Sequence, residues 1–253
     1  MKATENKIAV ITGAASGMGK AMAELFAANG MKLVLSDVNA DGLAAVVKSI
    51  SGTGAVVLGV PGSVADENIV KQLFDTAVQQ FGRLDVLVNN AGVLDDFLPV
   101  GEVTNAVWER VMSINVNGPM YAMRLAVPQM LKQGGGSIIN IASVGGLNGS
   151  RAGVAYTTSK HALIGMTKNV AFQYGDKGIR CNAIAPGAVN TNIGADVKQP
   201  SALGYAKLSL GMGTSIRAGE PKEIAEIALF LASGNSSLLN GAVIVADAGW
   251  TAY

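Results

Sequence analysis

Short apolar runs and longer amphipathic stretches alternate along almost the whole chain. The runs at 8–11, 32–36, 55–60, 84–88, 137–142, 179–185 and 242–246 are rich in Val, Ile, Leu and Ala, and Gly, Asp, Asn, Ser or Pro follows most of them. Near-continuous apolar runs of this length suit strands buried on both faces. Between them, apolar positions at helical spacing predict helices over 20–29, 40–50, 66–81, 104–131, 156–174 and 223–232. The 104–131 stretch reads as one long helix, bent near Pro119 where the backbone has no N–H to give. Parallel strands need crossovers of this kind. The pattern therefore predicts an α/β fold: a doubly wound parallel seven-stranded sheet with helices on both faces, in a single domain over 1–253. The segment 192–218 is rich in Gly, Ala, Ser and Met and lacks this regularity, so it is expected to be a mobile cap over a binding site.

Composition narrows the function. The chain has 253 residues, 49% of them apolar, enough for a large core. A net charge of +1 with no run of Lys or Arg implies neither a nucleic-acid nor an anionic-membrane partner. No stretch approaches the roughly 18 apolar residues of a membrane span, and no apolar leader opens the sequence. A soluble, cytoplasmic protein acting on a small molecule is expected. The single cysteine, Cys181, sits in an apolar run and reads as a buried small hydrophobe. With one histidine, His161, no metal-ligand cluster is visible.

Two constellations carry chemistry. The first is Thr12-Gly13-Ala14-Ala15-Ser16-Gly17-Met18-Gly19, between the first strand and the first helix. Glycines there let backbone N–H groups and the helix dipole meet a phosphate, although the same glycines could serve only a tight turn. Asp37, at the end of the second strand, strengthens the nucleotide reading. Its carboxylate can accept both hydroxyls of an adenosine ribose and would repel a 2′-phosphate. No Arg or Lys lies over 36–41 to attract one, which selects NAD over NADP. The second constellation is Tyr156 and Lys160, four residues apart and hence on one helix face. A nearby ammonium favours the phenolate and lowers a phenol pKa from its ordinary value of about 10, making Tyr156 usable as an acid or base. A Tyr and Lys at this spacing can equally be a surface pair. Ser143, just after the 137–142 run, could face the phenol across a substrate oxygen. His161 points off this face by about 100° and reads as structural.

Together the G-x-x-x-G-x-G spacing, Asn89-Asn90-Ala91-Gly92, Ser143 and Tyr156-x-x-x-Lys160 resemble the short-chain dehydrogenase/reductase family over essentially the whole chain. The resemblance implies a Rossmann fold and a catalytic tetrad of Asn115, Ser143, Tyr156 and Lys160, with Asn115 positioning a water that relays a proton to Lys160. It also implies that Lys160 holds the nicotinamide ribose, that Asn90 steadies the central strand, and that Pro186-Gly187-Ala188-Val189-Asn190-Thr191 grips the nicotinamide carboxamide. The expected cofactor-binding set is Gly13, Ser16, Gly17, Met18, Gly19, Asp37, Ser63, Val64, Asn90, Ala91, Gly92, Tyr156, Lys160, Pro186, Gly187, Val189 and Thr191. Ser63 stands where many members carry an Asp near the adenine, and Asp247-Ala248-Gly249 replaces the commoner Asp-Gly-Gly.

The expected activity is hydride transfer between NAD(H) and an uncharged, largely apolar secondary alcohol or its ketone, with Tyr156 as general acid/base. Ser143, Val144, Leu147, Tyr156, Tyr205 and Met212 are the expected substrate contacts. A 3-oxoacyl-carrier-protein reductase and a hydroxysteroid dehydrogenase remain open, as does a dinucleotide-binding regulator without turnover. Apolar residues on more than one side of the 104–131 and 156–174 helices (Met123, Val127, Met130; Leu163, Met166, Val170, Phe172) call for a partner surface. Similar family members are commonly tetramers through these helices, so a homotetramer is expected.

Overall fold

The computed structural model describes residues 4–252; Met1–Ala3 and Tyr253, the ends of the expected 1–253 domain, lie outside the described residues. Seven strands, β1 (Ile8–Thr12), β2 (Lys32–Asp37), β3 (Val57–Pro61), β4 (Val86–Asn89), β5 (Gly136–Ile141), β6 (Ile179–Pro186) and β7 (Val243–Ala246), form one sheet. All pairs are parallel, in the order β3-β2-β1-β4-β5-β6-β7. The helices are α1 (Gly17–Ala28), α2 (Ala40–Ser51), α3 (Glu67–Phe81), α4 (Asn105–Met112), α5 (Gly118–Lys132), α6 (Val154–Tyr174), α7 (Ala202–Met212) and α8 (Pro221–Ala232).

Alternation along the buried strands divides the core into two layers. Ala9 and Ile11, Leu33 and Leu35, Val86 and Val88, and Ile139 face Met22 and Phe26 of α1 and Ile224, Ala228 and Leu231 of α8. The residues between them, Val10, Val34, Leu87 and Ile138, face Leu73 and Phe74 of α3 and Ala122, Val127 and Met130 of α5. Both faces are therefore covered, which is why the strands carry so few polar residues. The chain winds one way from β1 to β3 and the other way from β4 to β7, so β1 and β4 are neighbours whose crossovers depart to opposite sides. A crevice at the carboxyl ends of such strands is where ligands bind in open α/β sheets.

Two expectations need correction. The 104–131 stretch is not one helix bent at Pro119: α4 and α5 are joined by a π-helical turn, Ser113–Asn117, closed by the Gly118 amide bonding the Ser113 carbonyl. Pro119 sits in the first turn of α5 and has no N–H to give the Asn115 carbonyl, so an α-helical bond is missing at the junction. The 192–218 segment is also more regular than expected, holding a 3₁₀ turn, Asn192–Asp196, and α7. Its alternating small and apolar residues give α7 no distinct buried stripe; no residue of α7 is fully buried, which hid the helix from a periodicity reading. Among the described residues no helix is long and apolar enough to cross a membrane, and no group of His, Cys, Asp and Glu is arranged to hold a metal ion.

Candidate active site

A cleft of about 300 Å³ opens at the β1–β4 crevice. The glycine loop forms one wall. A Cβ on Gly19 would run into the Gly13 carbonyl oxygen, and one on Gly13, at φ 67°, would come within 2.8 Å of Ala91 Cα and the Asn90 amide. Only bare backbone lets the loop turn this tightly against the end of β4. Asn90 ties the two together, its side-chain amide donating to the carbonyls of Thr12 and Gly13, both at 2.9 Å. At the helix that follows, Ser16 occupies the N-cap of α1 but its hydroxyl makes no capping bond, and no acidic residue lies in the first turn. The helices α2, α3, α4 and α7 all have a capping Asn, Asp, Thr or Ser. The α1 terminus thus leaves N–H groups and the positive dipole end for an anion, which fits a dinucleotide pyrophosphate. Asp37 lies across the cleft and is the only charged residue among the described residues of its lining. One carboxylate oxygen accepts the Ala15 amide and the other the Asn39 amide, each at 2.9 Å. A carboxylate oxygen can accept more than one bond, so capacity for ribose hydroxyls remains.

Tyr156 and Lys160 are both buried on the face of α6 that meets the sheet, 6% and 3% exposed. Ser143 caps the short turn after β5, accepting the Gly145 amide at 3.0 Å, and its hydroxyl lies close enough to the phenol to act on its ionisation. The electrostatics differ from the sequence expectation. Lys160 Nζ donates to the Ile141 carbonyl at 2.9 Å and lies 5.5 Å from the centre of the Tyr156 ring. Burial, not the ammonium, dominates the phenol: its pKa is pushed up to about 12, with the Ser143 hydroxyl pulling down and the Asp95 carboxylate pushing further up. The same burial brings Lys160 down to about 8. Burial thus favours the neutral form of both groups.

Asn115 is fully buried in the π-helical turn. Its side chain donates to the Val93 carbonyl and accepts the Val93 amide, both at 2.9 Å, and donates to Ser159 Oγ at 3.1 Å. Those bonds lock the strand β4 exit to α6 and use both donors of the amide, leaving Oδ1 with one acceptor position beyond the Val93 amide. Asn115 Oδ1 and Lys160 Nζ converge on Gly92, 3.3 and 3.4 Å from where its Cβ would stand.

A family model described as enoyl-(acyl carrier protein) reductase matches residues 13–251. The chain is 46% identical to a 3beta-hydroxysteroid dehydrogenase 2 of Eggerthella lenta over 97% of its own length and 95% of the relative's. It is 35% identical to a cyclohexanol dehydrogenase of Acinetobacter sp. (strain SE19), again over 97% and 95%. The crystal structure of levodione reductase superposes with a TM-score of 0.90 at 36% identity, over 98% of this chain and 99% of that one. The chain belongs to the short-chain dehydrogenase/reductase family. It is accordingly an oxidoreductase acting on hydroxyl groups with a nicotinamide dinucleotide cofactor.

Placed within that family, most of the expected cofactor residues line one cleft: Gly13, Ser16, Gly17, Met18, Asp37, Ser63, Val64, Asn90, Ala91, Gly92 and Thr191. Gly19 packs behind the loop, and Pro186, Gly187, Val189, Tyr156 and Lys160 lie outside this lining. Pro186 pairs with Ala246 in the sheet, Gly187 abuts Asp247 and Trp250, and Val189 bridges to Gly219. Sequence reasoning missed Val38, Gly62, Ile114 and Asn192 in the lining, most of them chain neighbours of residues it named. It also missed Trp250, whose indole N–H donates to the Gly211 carbonyl at 2.7 Å and whose ring carries the Arg151 guanidinium at 4.1 Å, pinning the end of α7. Of the expected substrate contacts, Val144 is buried, while Leu147, Tyr205 and Met212 are exposed around the cap.

Proposed function

We propose that this protein transfers a hydride between NAD(H) and an uncharged, largely apolar secondary alcohol or its ketone, working as one catalytic unit with 192–218 as its substrate cap. The observation that carries the reading is the enclosed phenol of Tyr156 with Ser143 at its hydroxyl and buried Lys160 beneath its ring. Nicotinamide dinucleotide, when bound, supplies or accepts the hydride. Tyr156 takes the hydroxyl proton in oxidation and returns it to the carbonyl oxygen in reduction. Ser143 donates a hydrogen bond to the substrate oxygen as charge develops there. Lys160, with a pKa near 8, passes the proton on at neutral pH through a water positioned by Asn115.

NAD is favoured over NADP by Asp37, by the absence of Lys and Arg from the cleft lining, and by Val38, 76% exposed beside the ribose position. An apolar substrate is favoured by the names of the two relatives, a hydroxysteroid and a cyclohexanol dehydrogenase. The cap charges agree, since Arg217 is paired with Glu223 at 2.7 and 2.6 Å at the surface. The match to the enoyl-(acyl carrier protein) reductase model keeps a carrier-protein acyl substrate as the alternative. The test is a spectrophotometric screen of the unaltered protein with both cofactors over cyclic, aryl, steroid, aliphatic, polyol and β-ketoacyl substrates. NAD(H) should lead in kcat/KM by roughly 10- to 100-fold, the worth of one carboxylate–hydroxyl pair set against a repelled phosphate. A preference for NADP(H), or a best substrate that is charged or a free sugar, would overturn the reading. The unaltered chain is the right reagent because Asp37 also holds the Ala15 amide, so its removal would loosen the glycine loop as well.

A further inference from the structure

The turn that follows β4 carries two adjacent carboxylates that face opposite ways. Asp95 is fully buried; its Oδ1 accepts the Gly153 amide and its Oδ2 the Tyr156 amide, both at 3.0 Å. These N–H groups belong to the first turn of α6, whose N-cap, Gly153, has no side chain with which to satisfy them. The Leu98 carbonyl takes the Val154 amide at 2.9 Å. A Cβ on Gly153 would come 2.5 Å from Asp95 Oδ2 and run into the Leu98 nitrogen, so the absence of a side chain is what lets the turn reach the helix.

Asp96 points to the cap. Its Oδ1 accepts the Lys198 amide at 3.0 Å, and its carbonyl accepts the amide of Ser201, the N-cap of α7, at 2.9 Å. Phe97 follows in the left-handed region, φ 56°, where a non-glycine residue persists only if its surroundings fix it. They do so here: its carbonyl abuts Gly204, where any Cβ would collide with it, and its ring meets Tyr205 of α7 edge-on at 5.9 Å.

We propose that Asp95 and Asp96 are paired positioning residues, Asp95 fixing the backbone of Tyr156 and Asp96 seating the cap, so that acid/base and substrate wall are indexed to one rigid turn. This rests on Tyr156 as the acid/base. The groups facing the phenol are Ser143 from the turn after β5, Lys160 from α6 itself and Asp95 from the turn after β4. The Asp95 charge raises the phenol pKa and offsets the positive end of α6, so removing that charge favours the phenolate on both counts.

The test uses Asp95→Asn and Asp96→Asn in the full chain, alongside Tyr156→Phe, with NADH binding followed by fluorescence to show that each variant is folded. Asp95→Asn should lower kcat for alcohol oxidation roughly 10- to 100-fold, the cost of a small misplacement at the reacting group, with NADH affinity within about twofold. The rising limb of its pH–rate profile should move to lower pH, which a purely structural defect would not cause. Asp96→Asn should leave that limb in place and raise KM for the alcohol roughly fivefold, because the Lys198 amide then meets a neutral acceptor in place of a charged one. Wild-type kcat with an unmoved limb in Asp95→Asn, or an unchanged alcohol KM in Asp96→Asn, overturns the proposal. Should Asp95→Asn fail to fold, the alcohol KM of Asp96→Asn decides. If Tyr156→Phe is inactive while Asp95→Asn behaves as wild type, the positioning role alone fails; an active Tyr156→Phe takes down the acid/base reading and this proposal with it.

Discussion

Tyr156 shows how far a residue's chemistry depends on what encloses it. A Tyr and a Lys four residues apart suggest an ammonium lowering a phenol pKa, but both side chains are buried, and desolvation of each charged form outweighs their attraction. The consequence is a direction for the pH dependence. The phenolate is needed to take a proton, and burial holds the phenol well above neutrality, so kcat/KM for alcohol oxidation should rise with pH from about 6 to about 10. Ketone reduction needs the protonated phenol and should fall over the same range as Lys160, with a pKa near 8, ceases to resupply the proton. Profiles measured in both directions check this; an oxidation rate that is flat or falls through this range would show that Tyr156 is not the titrating base.

At the scale of elements, strands and their alternation with helices were legible because a parallel sheet buried on both faces needs continuous apolar runs, and each of the seven appears as one. The glycine loop was legible for a related reason: Gly13 and Gly19 stand where backbone meets backbone, and no other residue fits. What the sequence did not disclose depends on contacts far apart in the chain. The π-helical turn at Ser113–Asn117 leaves no periodicity signal beyond Pro119, and α7 lacks a buried stripe. Asp95 reads as a loop carboxylate until its two amide partners on α6, 58 and 61 residues away, are brought to it. Trp250 was passed over because a C-terminal aromatic has no local pattern to reveal that it clamps Gly211.

For the whole molecule, the sequence argument for assembly counted too much. Met130 and Leu163 are buried within the chain and need no partner, while Met123 and Val127 are buried but still reach a groove wall. What remains is a groove between α5 and α6, of about 520 Å³ and lined by Met120, Met166, Val170 and Tyr174, with Phe172 of α6 86% exposed. We still expect a homotetramer built on these two helices, and light scattering at micromolar concentration should find four copies; a monomer would contradict it. The central claim is narrower and concerns one hydroxyl. Tyr156→Phe keeps the ring that packs against Lys160 and Gly145 and removes only the group that exchanges the proton. Turnover with the best alcohol from the screen should fall at least 100-fold, the scale of a lost general acid/base, while NADH binding stays within about twofold. A variant that keeps more than about a tenth of the wild-type rate would contradict the account.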